Sequence, residues 1–384
     1  MKNRAHILLL TSSYPSSGDD PRASAGLFVK DFAHELSKRM KVTVISQMTQ
    51  MRDSGRVRQS DSGIEVIRFP WAGKERPLST LRFPSDLRLI FSVLLEGMRA
   101  SFKFSRQNKV DLSLALWALP SGLWALLLKW THKIDYAVWC LGSDIWDYGK
   151  GPLKKRLLRL ILRQARILYA DGYRLKGDVE LLSGRKCHFM STCRRLPVHV
   201  SAAVISSEKR HYLFIGRYHP NKGPDVLLEA IAILDAEIRK VVHFHFFGVG
   251  PLQEQLEEFI RMKQISDIVS LNGLINEKSA VAYLKACRAL IIPSRLESIP
   301  VVLSDALQTG CAVIASDVGD MGYLIRKYGA GIVVPPESPA EMAKAIRDDI
   351  LYPEDYSEGG KELLKLFDLS KTAERFVSEH FQRL

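Results

Sequence analysis

The chain has 384 residues, of which 46% are hydrophobic, and this composition excludes an intrinsically disordered protein, because disordered chains lack the apolar residues that fill a core. The length predicts two or three domains. The formal net charge of +13 favours an anionic partner, and it leaves nucleic acid, phosphorylated ligands and an acidic membrane surface open.

Neither the cysteines nor the apolar segments indicate export or membrane insertion. The five cysteines form no CxxC pair and no regular framework, so we expect reduced thiols in a cytoplasmic protein. We interpret the short apolar run 7–10 as a buried first strand rather than a secretory signal, because no small-residue cleavage site follows it cleanly. Pro120 and Gly122 interrupt the apolar segment 114–130, so this segment is not predicted to span a membrane.

Short apolar runs alternate with segments of helical periodicity through the first half of the chain. This alternation predicts right-handed βαβ units and a parallel sheet. The expected elements are strand 6–10, helix 26–38, strand 42–46, strand 64–69, helix 86–104, strand 110–116, helix 121–130 and strand 137–141.

The periodicity is lost in the polar region 191–210 and then begins again. The second series is strand 212–215, helix 224–234, strand 242–247, helix 251–262, strand 268–271, helix 277–286, strand 289–292, helix 300–307, strand 311–315, strand 331–334, helix 340–350 and helix 372–381. We predict an α/β protein with two doubly wound Rossmann-like domains that face each other across a cleft. The predicted domains are 1–195 and 211–365, with a linker 196–210 and a C-terminal segment 366–384 that packs back on the first domain.

The segment 216–223, GRYHPNKG, directly follows a strand and opens a helix. This position places backbone donors and the cations Arg217 and Lys222 where a helix N-terminus attracts anions, which would suit a diphosphate. The alternative is a solvated turn with a surface arginine and a surface lysine. The sequence of this motif alone does not decide between them.

Three other loops follow strands. The loop 11–26 is long for a βα connection and is interpreted as a ligand loop or, alternatively, as a mobile surface insertion. Gly248 and Gly250 in FGVGPL permit close backbone approach by a planar or phosphorylated ligand. Asp144 in LGSDI either orients a substrate hydroxyl or caps the next turn.

Two carboxylates flank a predicted helix start in the stretch 288–320. Glu297 lies in the loop after a strand, and Asp305 lies inside the helix that follows. Both can face the crevice at the carboxyl end of the sheet, which is where ligands bind in open α/β sheets.

Taken together and in this order, the motifs resemble the group 1 (family 4) retaining nucleotide-sugar glycosyltransferases of the glycosyltransferase-B fold. The motifs that carry the resemblance are AGLFVKDFAHEL, LGSDI, LFIGRYHPNKGPDVLLEAI, FGVGPL, VSLNGL and PSRLESIPVVLSDALQTGCAVIASDVG. The ordered set spans nearly the whole chain and is more specific than any single motif.

The resemblance implies a role for each matching residue. Arg217 and Lys222 would neutralise the donor diphosphate, Glu297 would contact the donor sugar, and Asp305 would contact the ribose. The catalytic set implied in this way is Glu297, Asp144, Arg217 and Lys222. The other donor-binding residues would be Gly26, Gly216, Gly248, Gly250, Leu274, Ser298, Ile299, Pro300, Val301 and Asp305. No DxD metal motif occurs in these loops, so we expect neither a metal nor a cofactor.

This chain departs from the pattern of the family at three positions. The second acid is Asp305 instead of the usual glutamate. Leu141 stands where many relatives have a histidine before the GSD-like turn, so Asp144 would matter more. The double glycine of the first loop is Ala25 and Gly26, which leaves a single glycine there.

A basic helix is predicted in the first domain, where residues 150–166 contain no acid and cations interleave with leucines and isoleucines. Lys155, Arg159, Arg163 and Arg166 form a stripe in helical register, as in interfacial helices. One hypothesis is that the domain rests on an anionic membrane surface and receives a lipid-linked acceptor. The alternative is an ordinary helix with a solvated basic face.

The function expected from the resemblance is hexosyltransferase-type transfer from a UDP- or GDP-sugar to a glycan or lipid-linked acceptor in cell-surface polysaccharide or glycolipid synthesis. We expect a cytoplasmic enzyme, peripheral on the inner face of the membrane. The alternatives are a sugar-nucleotide epimerase or hydrolase on the same fold and a non-catalytic basic membrane- or nucleic-acid-binding module. Because nucleic-acid-binding motifs are missing from the sequence, we expect no nucleic-acid partner. His243 and His245 lie on one strand face, and we interpret them as structural.

Overall fold

A computed structural model describes residues 4–15, 26–48, 58–61, 63–73, 76, 78, 81, 84–146, 151–206 and 208–381. The chain divides into two compact units. Unit 1 comprises residues 1–191 together with 369–384, and unit 2 comprises residues 192–368.

Unit 1 contains an eight-stranded sheet in the order β3-β4-β2-β1-β5-β6-β7-β8. All neighbouring strands are parallel except β3 and β4, which are antiparallel. The strand order reverses between β1 and β5, the position where a doubly wound sheet forms its crevice. The strands are β1 (His6–Leu10), β2 (Lys41–Gln47), β3 (Arg58–Asp61), β4 (Ile64–Phe69), β5 (Leu112–Leu116), β6 (Tyr136–Cys140), β7 (Ile167–Ala170) and β8 (Cys187–Phe189).

Helices cover both faces of a sheet whose central strands β1, β5 and β6 are buried along their whole length. Continuous apolar sequence is what a parallel strand covered on both faces requires. The helices of unit 1 are α1 (Leu27–Ser37), α2 (Leu87–Gln107), α3 (Ser121–His132), α4 (Ser143–Trp146), α5 (Pro152–Gln164), α6 (Tyr173–Ser183) and α15 (Leu369–Phe381). The last helix packs on α1, where the rings of Phe32 and Phe376 lie 6.0 Å apart.

Unit 2 contains a six-stranded parallel sheet in the order β11-β10-β9-β12-β13-β14. Its strand order reverses between β9 and β12, so these two strands define the switch point of this sheet. The strands are β9 (Arg210–Ile215), β10 (Val242–Phe247), β11 (Val269–Leu271), β12 (Ala289–Ile292), β13 (Ala312–Ser316) and β14 (Ile332–Val334).

Helix boundaries in unit 2 follow local sequence signals. The Asn276 side chain accepts a hydrogen bond from the N–H of Ser279 and caps α10, and Gly310 ends α11 in the left-handed conformation with φ 74°. The helices are α7 (Pro224–Ala232), α8 (Ala236–Lys240), α9 (Gln253–Met262), α10 (Glu277–Ala286), α11 (Val301–Thr309), α12 (Met321–Tyr328), α13 (Pro339–Leu351) and α14 (Ser357–Leu364).

The prediction of an α/β fold with two Rossmann-like units is confirmed. No strand was predicted between residues 143 and 189. The structure has two strands there, β7 and β8, together with helices α4, α5 and α6. Unit 2 begins at residue 192, whereas the predicted linker spans 196–210. The polar segment at this position is attached to unit 2, since the N–H of Ala203 donates to the Ala282 carbonyl at 2.9 Å and Lys285 Nζ donates to the Val200 carbonyl at 2.8 Å.

In the part of the chain that the structure describes, no helix combines the length and the apolar character needed to cross a membrane. All five cysteines are buried and form no disulfide.

Candidate functional site

The carboxyl ends of β9, β10 and β12 bring three loops into backbone contact. Gly223 has φ +64° and lies so close to Pro293 that a Cβ atom there would overlap the Pro293 carbonyl oxygen. A Cβ at Gly248 would overlap the carbonyl oxygen of Gly216, and one at Gly250 would meet that of Tyr218. The loops can approach this closely only because glycine has no side chain at these positions.

The switch point of unit 2 holds an ion pair between Lys222 and Glu297. Lys222 ends a 3₁₀ turn, Pro220–Lys222, in the loop after β9, and Glu297 lies in the loop after β12. Lys222 Nζ contacts Glu297 Oε1, and the two side chains are 27% and 14% exposed. The sequence predicted both residues as donor ligands, and the structure brings their charged groups together at one place.

Two positive charges converge on this turn. Arg217 is exposed in the same loop. Burial, and then the nearby Arg217 guanidinium, lower the pKa of the Lys222 ammonium. The turn is therefore a partly desolvated cationic position in which a lysine is held by one carboxylate.

Helix α11 begins at Val301, four residues after Glu297. Pro300 is its N-cap, and no side chain makes a capping hydrogen bond there. Ser298 is only 4% exposed, and its hydroxyl has no hydrogen-bond partner among the described residues. Ile299 is also buried. A buried hydroxyl and a helix start without a side-chain cap leave donors for an anionic group at this position.

Asp305 lies one turn inside α11 and is ion-paired with Arg194. Arg194 Nε donates to both carboxylate oxygens at 2.9 Å, and Nη2 donates to Oδ2 at 2.5 Å. Both side chains are buried, with exposures of 8% for Arg194 and 2% for Asp305. The sequence did not identify Arg194, because a pair 111 residues apart in the chain leaves no local signal. The ribose contact implied for Asp305 stays a prediction. In this structure the Asp305 carboxylate is bound by Arg194.

Leu274 lies beyond β11, next to the glycine loop that follows β10. The N–H of Gly248 donates to the Gly273 carbonyl at 2.7 Å, which joins the two loops. The side chains of Leu274 and Val249 are 39% and 41% exposed at this edge. They provide apolar surface beside the strand ends.

Gly26 is the N-cap of α1 in unit 1, and Ala25 and the rest of 16–25 lie outside the described residues. The chain before that stretch is held by buried side chains from neighbouring strands. Arg68, which is 1% exposed, donates to the carbonyls of Tyr14 at 3.2 Å and Pro15 at 2.6 Å. The start of the loop after β1 therefore has a fixed backbone.

In unit 1 the Asp144 carboxylate is bound by backbone N–H groups of two loops. Its carboxylate is fully buried, and it accepts the N–H of Ala118 at 2.6 Å and the N–H of Leu141 at 3.1 Å. Burial raises the pKa of Asp144 to about 6 against the lowering effect of these backbone donors. A catalytic Asp144 finds no support in this geometry, because both oxygens are directed to the backbone of two loops.

His243 and His245 are joined by a third histidine from β9. His211 Nδ1 and His245 Nε2 are 2.9 Å apart, and His211 Nε2 lies 2.8 Å from the Ser206 carbonyl oxygen. His243 Nε2 lies 2.8 Å from the Ser270 hydroxyl. His211 and His245 thus bond to each other, and His243 bonds to Ser270. No group of His, Cys, Asp or Glu within the described ranges is suited to hold a metal ion.

Comparison with known proteins identifies the class to which this fold belongs. The chain has a TM-score of 0.83 with sucrose-phosphate synthase from Thermosynechococcus elongatus, at 18% identity and 99% coverage of both chains. It has a TM-score of 0.71 with Anabaena Alr3699/HepE in complex with UDP-glucose, at 15% identity, covering 99% of this chain and 100% of the other. These similarities show that the fold is that of the glycosyltransferase-B class.

Sequence comparison matches part of the chain to one family. Residues 200–362 match the family model of the glycosyl transferases group 1. TuaC of Bacillus subtilis, a glycosyltransferase named for teichuronic acid biosynthesis, is 26% identical over 402 aligned positions that cover 96% of each chain. The D-inositol 3-phosphate glycosyltransferase of Geodermatophilus obscurus is 28% identical over 195 residues, which are 49% of this chain and 42% of that protein. The match of residues 200–362 to the group 1 glycosyl transferases supports the resemblance of the motifs to that family.

Proposed function

We propose that this protein is a retaining glycosyltransferase that moves a sugar from a nucleotide diphosphate sugar to a glycan or lipid-linked acceptor. The observation that carries the proposal is the Lys222–Glu297 ion pair at the switch point of unit 2, in which Glu297 lies four residues before the start of α11. UDP-glucose is bound by a protein of the same fold, Alr3699/HepE, which makes a UDP-sugar the first donor to test.

The ion pair offers one group for each half of such a donor. When the bond between the sugar and the diphosphate breaks, negative charge develops on the leaving group. The Lys222 ammonium, the Arg217 guanidinium and the first N–H groups of α11 are the groups that would stabilise it. The Glu297 carboxylate would accept hydrogen bonds from sugar hydroxyls. Binding of the donor would thus replace the Lys222–Glu297 ion pair with two contacts. One joins the cation to the diphosphate, and the other joins the carboxylate to the sugar hydroxyls.

Retention of the anomeric configuration is the stereochemistry implied by the family resemblance, with the acceptor attacking from the face that the diphosphate leaves. Fixed cations can stabilise the leaving group without a metal, so we propose that transfer is metal-independent. Activity that is unchanged in EDTA would support this proposal. Activity that is abolished by EDTA and restored by Mg²⁺ or Mn²⁺ would refute it.

Thermal shift with a panel of UDP-, GDP- and ADP-sugars tests the donor site directly, since a ligand that binds only the folded state raises the melting temperature. We expect a selective rise with one base, which is weakened in Lys222→Met. A flat response across the panel would contradict the proposal. Mass spectrometry of donor incubated without acceptor separates transfer from the alternative epimerase or hydrolase, because those enzymes consume the donor alone.

We also propose that unit 1 contacts an anionic membrane surface through the helix predicted at 150–166, of which Lys150 lies outside the described residues. Leu158, Ile161 and Leu162 on α5 are buried, whereas Leu153 and Leu160 are 78% and 38% exposed. Exposed leucines beside cations are the combination that an interfacial helix inserts. The exposed cations of α5 are Lys154, Lys155, Arg156, Arg159 and Arg163.

Sedimentation with anionic and neutral vesicles tests the membrane contact. A charge-reversed variant should leave Arg159 in place, because its Nε donates to the Leu182 carbonyl at 3.2 Å. The variant reverses Lys154, Lys155, Arg156 and Arg163 to glutamate. Its control reverses four exposed cations of unit 2, which are Lys263, Lys344, Arg347 and Lys361. Binding lost only in the α5 variant supports the proposal, and equal sedimentation of both variants contradicts it.

A further inference from the structure

Arg295, in the loop after β12, joins that loop to the turn that carries Lys222. The backbone N–H of Arg295 donates to the Asn221 carbonyl at 2.8 Å, and its Nη1 donates to the Pro220 carbonyl at 2.8 Å. Two consecutive carbonyls of the Pro220–Lys222 turn are therefore held by one residue. The next residue along the turn is Lys222.

The guanidinium of Arg295 is itself fixed by two acids. Nη1 and Nη2 donate to the two carboxylate oxygens of Asp225, each at 2.8 Å, and Nε donates to Glu337 Oε1 at 2.8 Å. Asp225 lies in the first turn of α7, and Glu337 follows β14. A planar guanidinium bound on two sides in this way has a fixed orientation, which a lysine ammonium could not reproduce.

We propose that Arg295 is a positioning residue that holds Lys222 against Glu297, an inference that rests on the proposed function. Glu297 is two residues beyond Arg295 on the same loop, and Lys222 directly follows the two carbonyls that Arg295 binds. The distance between the ammonium and the carboxylate is thus set by a residue that contributes no atom to the donor. Small displacements of reacting groups reduce rates strongly, so this clamp matters for turnover.

The chain contains a matched control at the other end of the same strand. Arg288 directly precedes β12 and donates to both oxygens of Asp349, with Nη2 to Oδ1 at 2.6 Å. Its side chain is 27% exposed, against 26% for Arg295. Arg288 also donates to the Glu354 carbonyl at 2.9 Å. It likewise makes a bidentate contact with one aspartate and is about as exposed as Arg295, but it lies at the amino end of β12.

A double-mutant cycle on kcat/KM for the donor tests whether Arg295 acts through Lys222. We expect Arg295→Gln to lower kcat/KM about 10- to 100-fold in the native background and less than about 2-fold in a Lys222→Met background, because coupled residues are not additive. Arg295→Lys keeps the charge but loses the paired guanidinium N–H groups that bind Asp225. It should therefore be more active than Arg295→Gln but less active than the native protein. Arg288→Gln should change kcat/KM by less than about 2-fold in either background. Equal losses from Arg295→Gln in both backgrounds would overturn the proposal.

Hydrogen exchange of the Lys222 and Gly223 amides separates this inference from the proposed function. These amides donate within the turn, to His219 at 2.8 Å and to Pro220 at 3.1 Å. They should exchange faster in Arg295→Gln and at the native rate in Arg288→Gln. Unchanged exchange in Arg295→Gln would overturn the positioning role whatever the activity. A chain that turns over no donor would refute the proposed function, and the exchange rates would still decide whether Arg295 fixes the turn.

Discussion

The carboxyl ends of the two sheets use their acidic residues in opposite ways. In unit 1, Asp144 is fully buried and its oxygens accept backbone N–H groups from Ala118 and Leu141. In unit 2, Glu297 is paired with Lys222, and both side chains keep some exposure, 14% and 27%. A carboxylate in a loop after a strand is therefore not enough to indicate a ligand site. Its neighbours decide whether it stabilises the fold or stays available to a ligand.

The same distinction applies within unit 2, where Asp305 resembles Asp144 more than Glu297. Arg194 binds its carboxylate in a buried pair, as backbone donors bind that of Asp144. Three substitutions test this division between structural and functional carboxylates, and a fourth prediction concerns buried histidines in both units.

Asp305→Ala should have the largest effect. It removes the carboxylate that binds the buried Arg194 guanidinium at 2.5–2.9 Å and leaves the longer 3.9 Å contact with Glu277; breaking a buried ion pair destabilises a protein by about 3–5 kcal/mol. Urea denaturation measures the free energy of unfolding. The double variant Arg194→Met with Asp305→Leu removes both charges and should recover most of the loss. If the single variant were as stable as the native protein, the pair would have no structural role.

Glu297→Gln should lower turnover about 100-fold, or about 2.7 kcal/mol of transition-state stabilisation, because the neutral amide is a weaker acceptor for sugar hydroxyls and leaves Lys222 without its counter-charge. The melting temperature should change little, since partly exposed ion pairs contribute about 1 kcal/mol or less. Steady-state kinetics and a thermal melt measure the two effects. Full turnover in this variant would remove Glu297 from the site.

Asp144→Asn should lower the stability of the protein and leave its turnover nearly unchanged. One of the two oxygens becomes an amide NH₂ that faces a backbone N–H, and a buried unsatisfied donor costs about 1–3 kcal/mol. Turnover per folded molecule should stay within about 3-fold of the native value. A variant that is as stable as the native protein but inactive would indicate that Asp144 takes part in catalysis.

Acidification should weaken each unit modestly through a buried histidine, and in unit 1 the raised pKa of Asp144 acts in the opposite direction. Burial lowers the pKa of His245 in unit 2 and of His380 in unit 1 to about 4, against the unfolded value of 6.5. Below pH 6.5 the unfolded chain binds protons that the folded chain does not, so stability is complete above pH 6.5 and is lost as pH falls towards 4. Each histidine should remove about 1 kcal/mol at pH 5.5. His380→Phe should flatten this pH dependence, and an unchanged slope would assign it to other groups.

The strand ends of unit 2 were the best-predicted part of the molecule. Buried parallel strands read as continuous apolar runs, and glycine and proline mark where each run ends, so the loops with Lys222 and Glu297 could be located from the sequence. The region 143–189 was less predictable. There a four-residue helix, short strands and a basic amphipathic helix give weak or mixed periodicity.

The sequence by itself determined the alternation of strands and helices, the two Rossmann-like units and the motifs that resemble the group 1 glycosyltransferases, because these depend on local patterns of apolar residues, glycines and prolines. Only the tertiary structure decided which charges meet. Arg295 has partners 70 and 42 residues away in the chain, and Arg194 has one 111 residues away. Such pairs form where strand order and loop packing place distant segments side by side, and no local pattern records that placement.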